Sequence, residues 1–161
     1  MASVWVINAA PLIFLGKIGH LELPNRLGFE VIVPEGAAWE IKQGPEWDPA
    51  RQWLQGPGHH LIHPVGTVTP AIAAWDLGLG ESHVLQLYLG RSEREAVVDD
   101  RAARDCAQSL GLPFRGTLSV LALAKQKGLI AAVRPLVEEL VAKGFRIAKP
   151  VADRVLELAG E

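Results

Sequence analysis

Five side chains with oxygen donors stand where a folded chain brings distant segments together: Asn8, Glu40, Glu81, Asp99 and Asp100. Asn8 ends the apolar run Val4-Trp5-Val6-Ile7, and Asp99-Asp100 follow directly on Glu95-Ala96-Val97-Val98. Short runs of this kind, apolar on both faces, suit buried strands of a parallel sheet. In open sheets of that type the functional crevice lies beyond the carboxyl ends of the strands. Glu40 and Glu81, on helices nearby, would complete an oxygen-lined cluster there. Hard cations such as Mg²⁺ and Mn²⁺ take oxygen ligands and keep several waters, so such a cluster would suit one of them.

The same residues also have ordinary structural uses. Asp100 fits the N-cap of the helix that follows it, and acids there are favoured by the helix dipole. Glu81 would serve as an acid in a first helical turn, Glu40 as a solvated helix acid, and Asn8 as a turn anchor. His59, His60 and His63 form a poor zinc set, because alternation along a strand puts His60 on the face opposite the other two. Cys106 lies on the apolar face of a helix and reads as core. There is no Ser-His-Asp order and no phosphate loop. Trp39, Trp47, Trp53 and Trp75 would suit stacking on bases, but packing is the commoner use of such residues.

The elements that must position these groups alternate between strand and helix, which is the pattern of an α/β fold with a parallel sheet. Strands are expected at 3–8, 29–33, 59–63, 95–98 and 112–115. Helices are expected from Ala9 to Gly19, from Glu35 to Lys42, around 50–54 and over 80–89. Another carries Ala103, Cys106, Ala107 and Leu110 on one face and stops at Gly111. Three more follow: one capped by Thr117 and closing at Gly128, one with its apolar stripe from Val133 to Val141, and one over 150–158. No repeat, linker or low-complexity tract divides the chain, so one domain over 1–161 is expected.

Composition fits this reading. The 161 residues are 49% hydrophobic and 21% charged, which is globular rather than disordered. A single cysteine excludes an internal disulfide and a cysteine-based zinc site. No apolar run approaches the ~20 residues of a membrane span, and the N-terminus lacks a signal peptide's basic start, so a cytoplasmic protein is expected. Sixteen basic residues stand against 18 acidic ones, a net charge of −2, which excludes a purely electrostatic nucleic-acid binder. Any contact with RNA or DNA must use a local patch.

Several stretches together resemble the PIN-domain superfamily, the fold of the VapC-type ribonuclease toxins, and within it an uncharacterised prokaryotic branch. They are 6–13 with Lys17-Ile18-Gly19, Val33-Pro34 leading to Trp39-Glu40, and Leu79-Gly80-Glu81. Further on come 97–104, Leu110-Gly111-Leu112-Pro113 and Gly116-Thr117-Leu118. They run in the family's order over nearly the whole chain. The resemblance implies a three-layer sandwich with a central, mainly parallel sheet flanked by helices.

It also implies an Mg²⁺- or Mn²⁺-dependent ribonuclease. Asn8, Glu40, Glu81 and Asp100 would then be metal ligands, with Asp99 auxiliary. Thr117 would hydrogen-bond water or phosphate, and Lys17, Arg101 and Arg104 would meet RNA phosphates unless they are simply solvated. A toxin of this kind implies a small antitoxin protein that covers the site. PIN proteins commonly form homodimers, for which the helix from Val133 to Val141 would offer a face if it does not close the core. Asn8 departs from the family's pattern, which usually has aspartate there. The rival reading is a PIN-like binding module with a catalytically impaired pocket.

Overall fold

The computed structural model describes residues 2–161. The chain runs β1 (Val4–Ile7), α1 (Ala9–Lys17), α2 (Leu23–Arg26), β2 (Glu30–Pro34), α3 (Glu35–Lys42) and α4 (Pro49–Gln55). A 3-10 turn over His59–Leu61 leads into β3 (Ile62–His63), followed by α5 (Pro70–Ala73), α6 (Leu79–Tyr88) and β4 (Arg94–Val97). The remaining elements are α7 (Arg101–Ser109), β5 (Phe114–Arg115), α8 (Thr117–Gln126), α9 (Arg134–Ala142) and α10 (Lys149–Leu158). The strands form one sheet in the order β3-β2-β1-β4-β5, and every pairing in it is parallel.

The apolar character of β1 follows from its central place. All four of its residues are buried, and they pair with β2 on one side and β4 on the other. Alternation sends Trp5 and Ile7 into a core shared with α1, α3, α4, α8 and α9. Val4 and Val6 enter a second core with α6 and α7. These two cores on opposite faces of one sheet are the three layers expected from the resemblance. Trp5 anchors the larger core: its ring stacks on Phe29 at 3.9 Å, and its indole N–H donates to Glu95 at 3.0 Å.

Several expectations need correction. Residues 59–63 do not form one strand. His59 and His60 lie in the 3-10 turn, so strand alternation does not order the three histidines. Thr117 is not the N-cap of α8; Gly116 holds that place and Thr117 is the first helical residue. Of the stripe from Val133 to Val141, Val133, Val137 and Leu140 are buried in the larger core, while Val141 is 50% exposed. Trp39, Trp47 and Trp75 are exposed rather than in the core, Trp53 packs half-buried against it, and Trp5 is the fully buried tryptophan. The short helices α2 and α5 were not anticipated. Cys106 is buried as expected, and burial raises its thiol above the ordinary range. Among the described residues, no helix is long and apolar enough to cross a membrane.

Candidate metal centre

The site begins with strand register. Ile7 pairs with Val97, and the Asn8 N–H donates to the Val97 carbonyl at 3.1 Å. β1 and β4 therefore end side by side, and Asn8 and Asp99 leave the same carboxyl edge of the sheet.

Glu40 and Glu81 arrive on α3 and α6, which pack against each other through two matching contacts. The Gly80 N–H, in the first turn of α6, donates to Glu40 Oε1 at 2.8 Å. The Gly36 N–H, in the first turn of α3, donates to His83 Nδ1 at 3.0 Å. Neither helix has a side-chain cap of its own. Each is capped by the other, which satisfies a donor that a helix start leaves without a partner.

Both contacts need glycine. A Cβ on Gly36 would lie 2.5 Å from His83 Nδ1, and one on Gly80 would lie 2.7 Å from Asn8 Oδ1 and 2.8 Å from Glu40 Oε2. Asn8, Glu40 and Glu81 therefore meet around the bare backbone of Gly80. The Asn8 amide nitrogen donates to Glu81 Oε1 at 3.1 Å. Its oxygen, Oδ1, is buried and accepts no hydrogen bond, in a residue only 1% exposed. A buried acceptor without a donor is costly unless something electropositive meets it. One amide oxygen and two half-buried carboxylates form an all-oxygen set that fits a hard divalent cation.

The two aspartates take different places. Asp99 receives the Thr117 N–H at 2.9 Å on Oδ1 and the Thr117 hydroxyl at 2.6 Å on Oδ2, with Arg104 Nη2 3.7 Å from Oδ1. The hydroxyl proton of Thr117 is thereby committed to Asp99. Asp100 is exposed and caps α7, its Oδ2 accepting the Ala103 N–H at 3.0 Å. Arg101 is exposed beside it. Lys17 is not brought to the acids. It ends α1 while Asn8 precedes that helix, and its ammonium lies over the Phe14 ring. Among the described residues, no three His, Cys, Asp or Glu side chains are grouped to hold a metal ion, so the oxygen set depends on Asn8.

Sequence reasoning missed His83, the Thr117–Asp99 pair and the role of the glycines. One signal was present: Gly78 and Gly80 flank the start of a helix just before an acid, where glycine otherwise weakens the helix.

No curated protein and no solved structure matches the chain. A family model described as a PIN domain matches residues 4–161. With that match over almost its whole length, the chain belongs to the PIN-domain family, a nuclease-type fold.

Proposed function

We propose that the chain is a metal-dependent ribonuclease of PIN type, hydrolysing RNA phosphodiester bonds with Mg²⁺ or Mn²⁺. In this reading it is the cytoplasmic toxin of a toxin–antitoxin pair, a small antitoxin covers its crevice, and it works as a homodimer. The observation that carries the reading is the convergence of Asn8 Oδ1, Glu40 and Glu81 at Gly80, with the amide oxygen buried and without a donor. PIN domains typically use divalent metals.

Asn8, Glu40 and Glu81 would hold the ion, with Asp100 contributing through the oxygen not engaged by Ala103. Such an ion supplies an activated water and stabilises charge on the scissile phosphate and leaving oxygen. The protein's own groups do the positioning. Gly80 fixes Glu40, Asn8 fixes Glu81, and Asp99 fixes Thr117 at the start of α8. Arg104 and Arg101 would meet phosphates of the strand.

A second reading, a catalytically impaired binding module, is favoured by the neutral amide at Asn8 and by the protein partners that Asp99 and Asp100 already have. Cleavage of a labelled RNA with Mg²⁺ or Mn²⁺, with Glu40→Gln as control, decides between them. The ribonuclease reading expects metal-dependent cleavage that Glu40→Gln abolishes. No cleavage by the wild type, or equal cleavage by both proteins, overturns it.

A further inference from the structure

A groove of about 410 Å³ runs from Asp99 past Gly116 to the start of α10. Its polar lining is unlike the molecule as a whole. The chain carries a net charge of −2, yet Arg104, Arg115 and Arg146 all line this groove, with Asp99 opposing them at the crevice end.

The three guanidiniums differ in how far the protein already occupies them. Arg115 is the most engaged, pairing with Glu95 at 2.7 Å, donating to Ser119 at 3.1 Å and lying over the Trp5 ring. Arg104 is partly engaged. Its Nε donates to the Val98 carbonyl at 2.9 Å, its Nη2 lies 3.7 Å from Asp99 Oδ1, and its guanidinium lies over the Phe114 ring, 5.6 Å from the centroid. Arg146 is exposed and makes no ion pair among the described residues.

Gly116 makes the arrangement possible. A Cβ there would collide with Arg104 Nη2 and come within 2.8 Å of Asp99 Oδ1. Bare backbone at this point lets the Arg104 guanidinium lie close over Gly116 beside Asp99. Phe114, under the Arg104 guanidinium, and Phe145, edge-on to Phe14, also line the groove, beside Val151, which is 53% exposed.

We propose that this groove carries the RNA strand whose scissile bond lies in the acid crevice, with Arg146 and Arg104 as phosphate contacts. The inference rests on the ribonuclease reading for the identity of the strand. Planar guanidiniums with free donors match phosphate oxygens. Asp99 gives continuity, because it lines the groove and leaves the same sheet edge as Asn8.

The test is fluorescence anisotropy with a labelled 12-nucleotide uridine RNA in EDTA, so that binding is read without hydrolysis. Arg146→Gln is compared with Arg154→Gln, which removes the same charge from α10 at a side chain paired with Glu157 outside the groove. At low salt, Arg146→Gln is expected to weaken binding by about three- to ten-fold and to lower the salt slope by about 0.7, the share of one phosphate contact. Arg154→Gln is expected to leave both near the wild-type values.

Equal effects of the two substitutions, or none from Arg146→Gln, overturn the proposal. So does a poly-glutamate of equal charge that displaces the RNA as well as unlabelled RNA does, which would mark the groove as a site for an acidic protein. Cleavage measured separately keeps the two readings apart. RNA cleavage without an Arg146 effect on binding removes the groove alone. An Arg146 effect in a protein that never cleaves removes the ribonuclease reading and leaves the groove as an RNA site.

Discussion

At the scale of single residues, Asn8 decides how the crevice behaves. Its amide nitrogen donates to Glu81, so Asn8→Asp replaces a donor with a second carboxylate facing the first. Without metal, that substitution is expected to destabilise the protein by about 1–3 kcal/mol, because a buried hydrogen bond becomes a repulsion. With Mg²⁺ or Mn²⁺, the added charge is expected to tighten binding by ~1–2 kcal/mol, roughly ten-fold. Thermal melts with and without metal check both signs. Aspartate lowering the melting point without metal and enlarging the shift on metal addition is the expected pair; an unchanged metal shift would dismiss Asn8 as a ligand. Gly80→Ala tests the same point from the backbone, since a Cβ there meets both Asn8 Oδ1 and Glu40 Oε2. It is expected to cost about 1–3 kcal/mol in urea melts and to weaken metal binding. The oxygen donors were legible in the sequence because strand ends and helix starts are marked by residue type. The glycines were not, because the need for a missing Cβ arises only when two helices come close.

At the scale of elements, α3 and α6 form a unit in which each completes the other's first turn. His83→Ala removes the cap of α3 without touching the acids and is expected to cost about 1–2 kcal/mol. It should also loosen metal binding, because the helix that loses its cap carries Glu40. Equal metal affinity in wild type and His83→Ala would show that the cap has no bearing on the acids. A second junction lies at Glu161. Its carboxylate accepts the Val133 and Arg134 N–H groups at the start of α9 and pairs with Lys125 of α8. The Val133 N–H above all, then Lys125, hold it down to about 2, against an ordinary value of 4.5. A depressed acid contributes stability that is fully present above its unfolded value and is lost as pH falls through its folded one. The clasp should therefore weaken between about pH 4.5 and pH 2. Glu161→Gln is expected to melt below the wild type at pH 6 and to converge with it near pH 2; a constant gap would refute the linkage. Most elements were legible from apolar runs and glycine stops, such as Gly111 at φ 68° after α7. The four-residue helices α2 and α5 were not, since one turn is too short to show a period.

At the scale of the whole molecule, charge is unevenly distributed rather than abundant. If the groove binds RNA through two or three phosphates, the logarithm of affinity should fall with that of salt with a slope of about −1.4 to −2.1. A steeper slope would mean contacts well beyond the groove. The order of the strands has a further consequence, for the chain as it is made. β1 precedes the other four strands in the chain and is the central one, and its partner β4 lies far along the chain, with Trp5 bonded to Glu95 across 90 positions. Until β4 leaves the ribosome, one edge of an entirely apolar strand has no neighbour, and the carboxyl edge that holds Asn8 lacks its Asp99–Asp100 side. A nascent chain cut short before residue 94 should therefore fail to unfold cooperatively and should bind a hydrophobic dye, whereas the full chain should do neither. Growing chains therefore carry Asn8, Glu40 and Glu81 before β4 arrives to complete the carboxyl edge beside them.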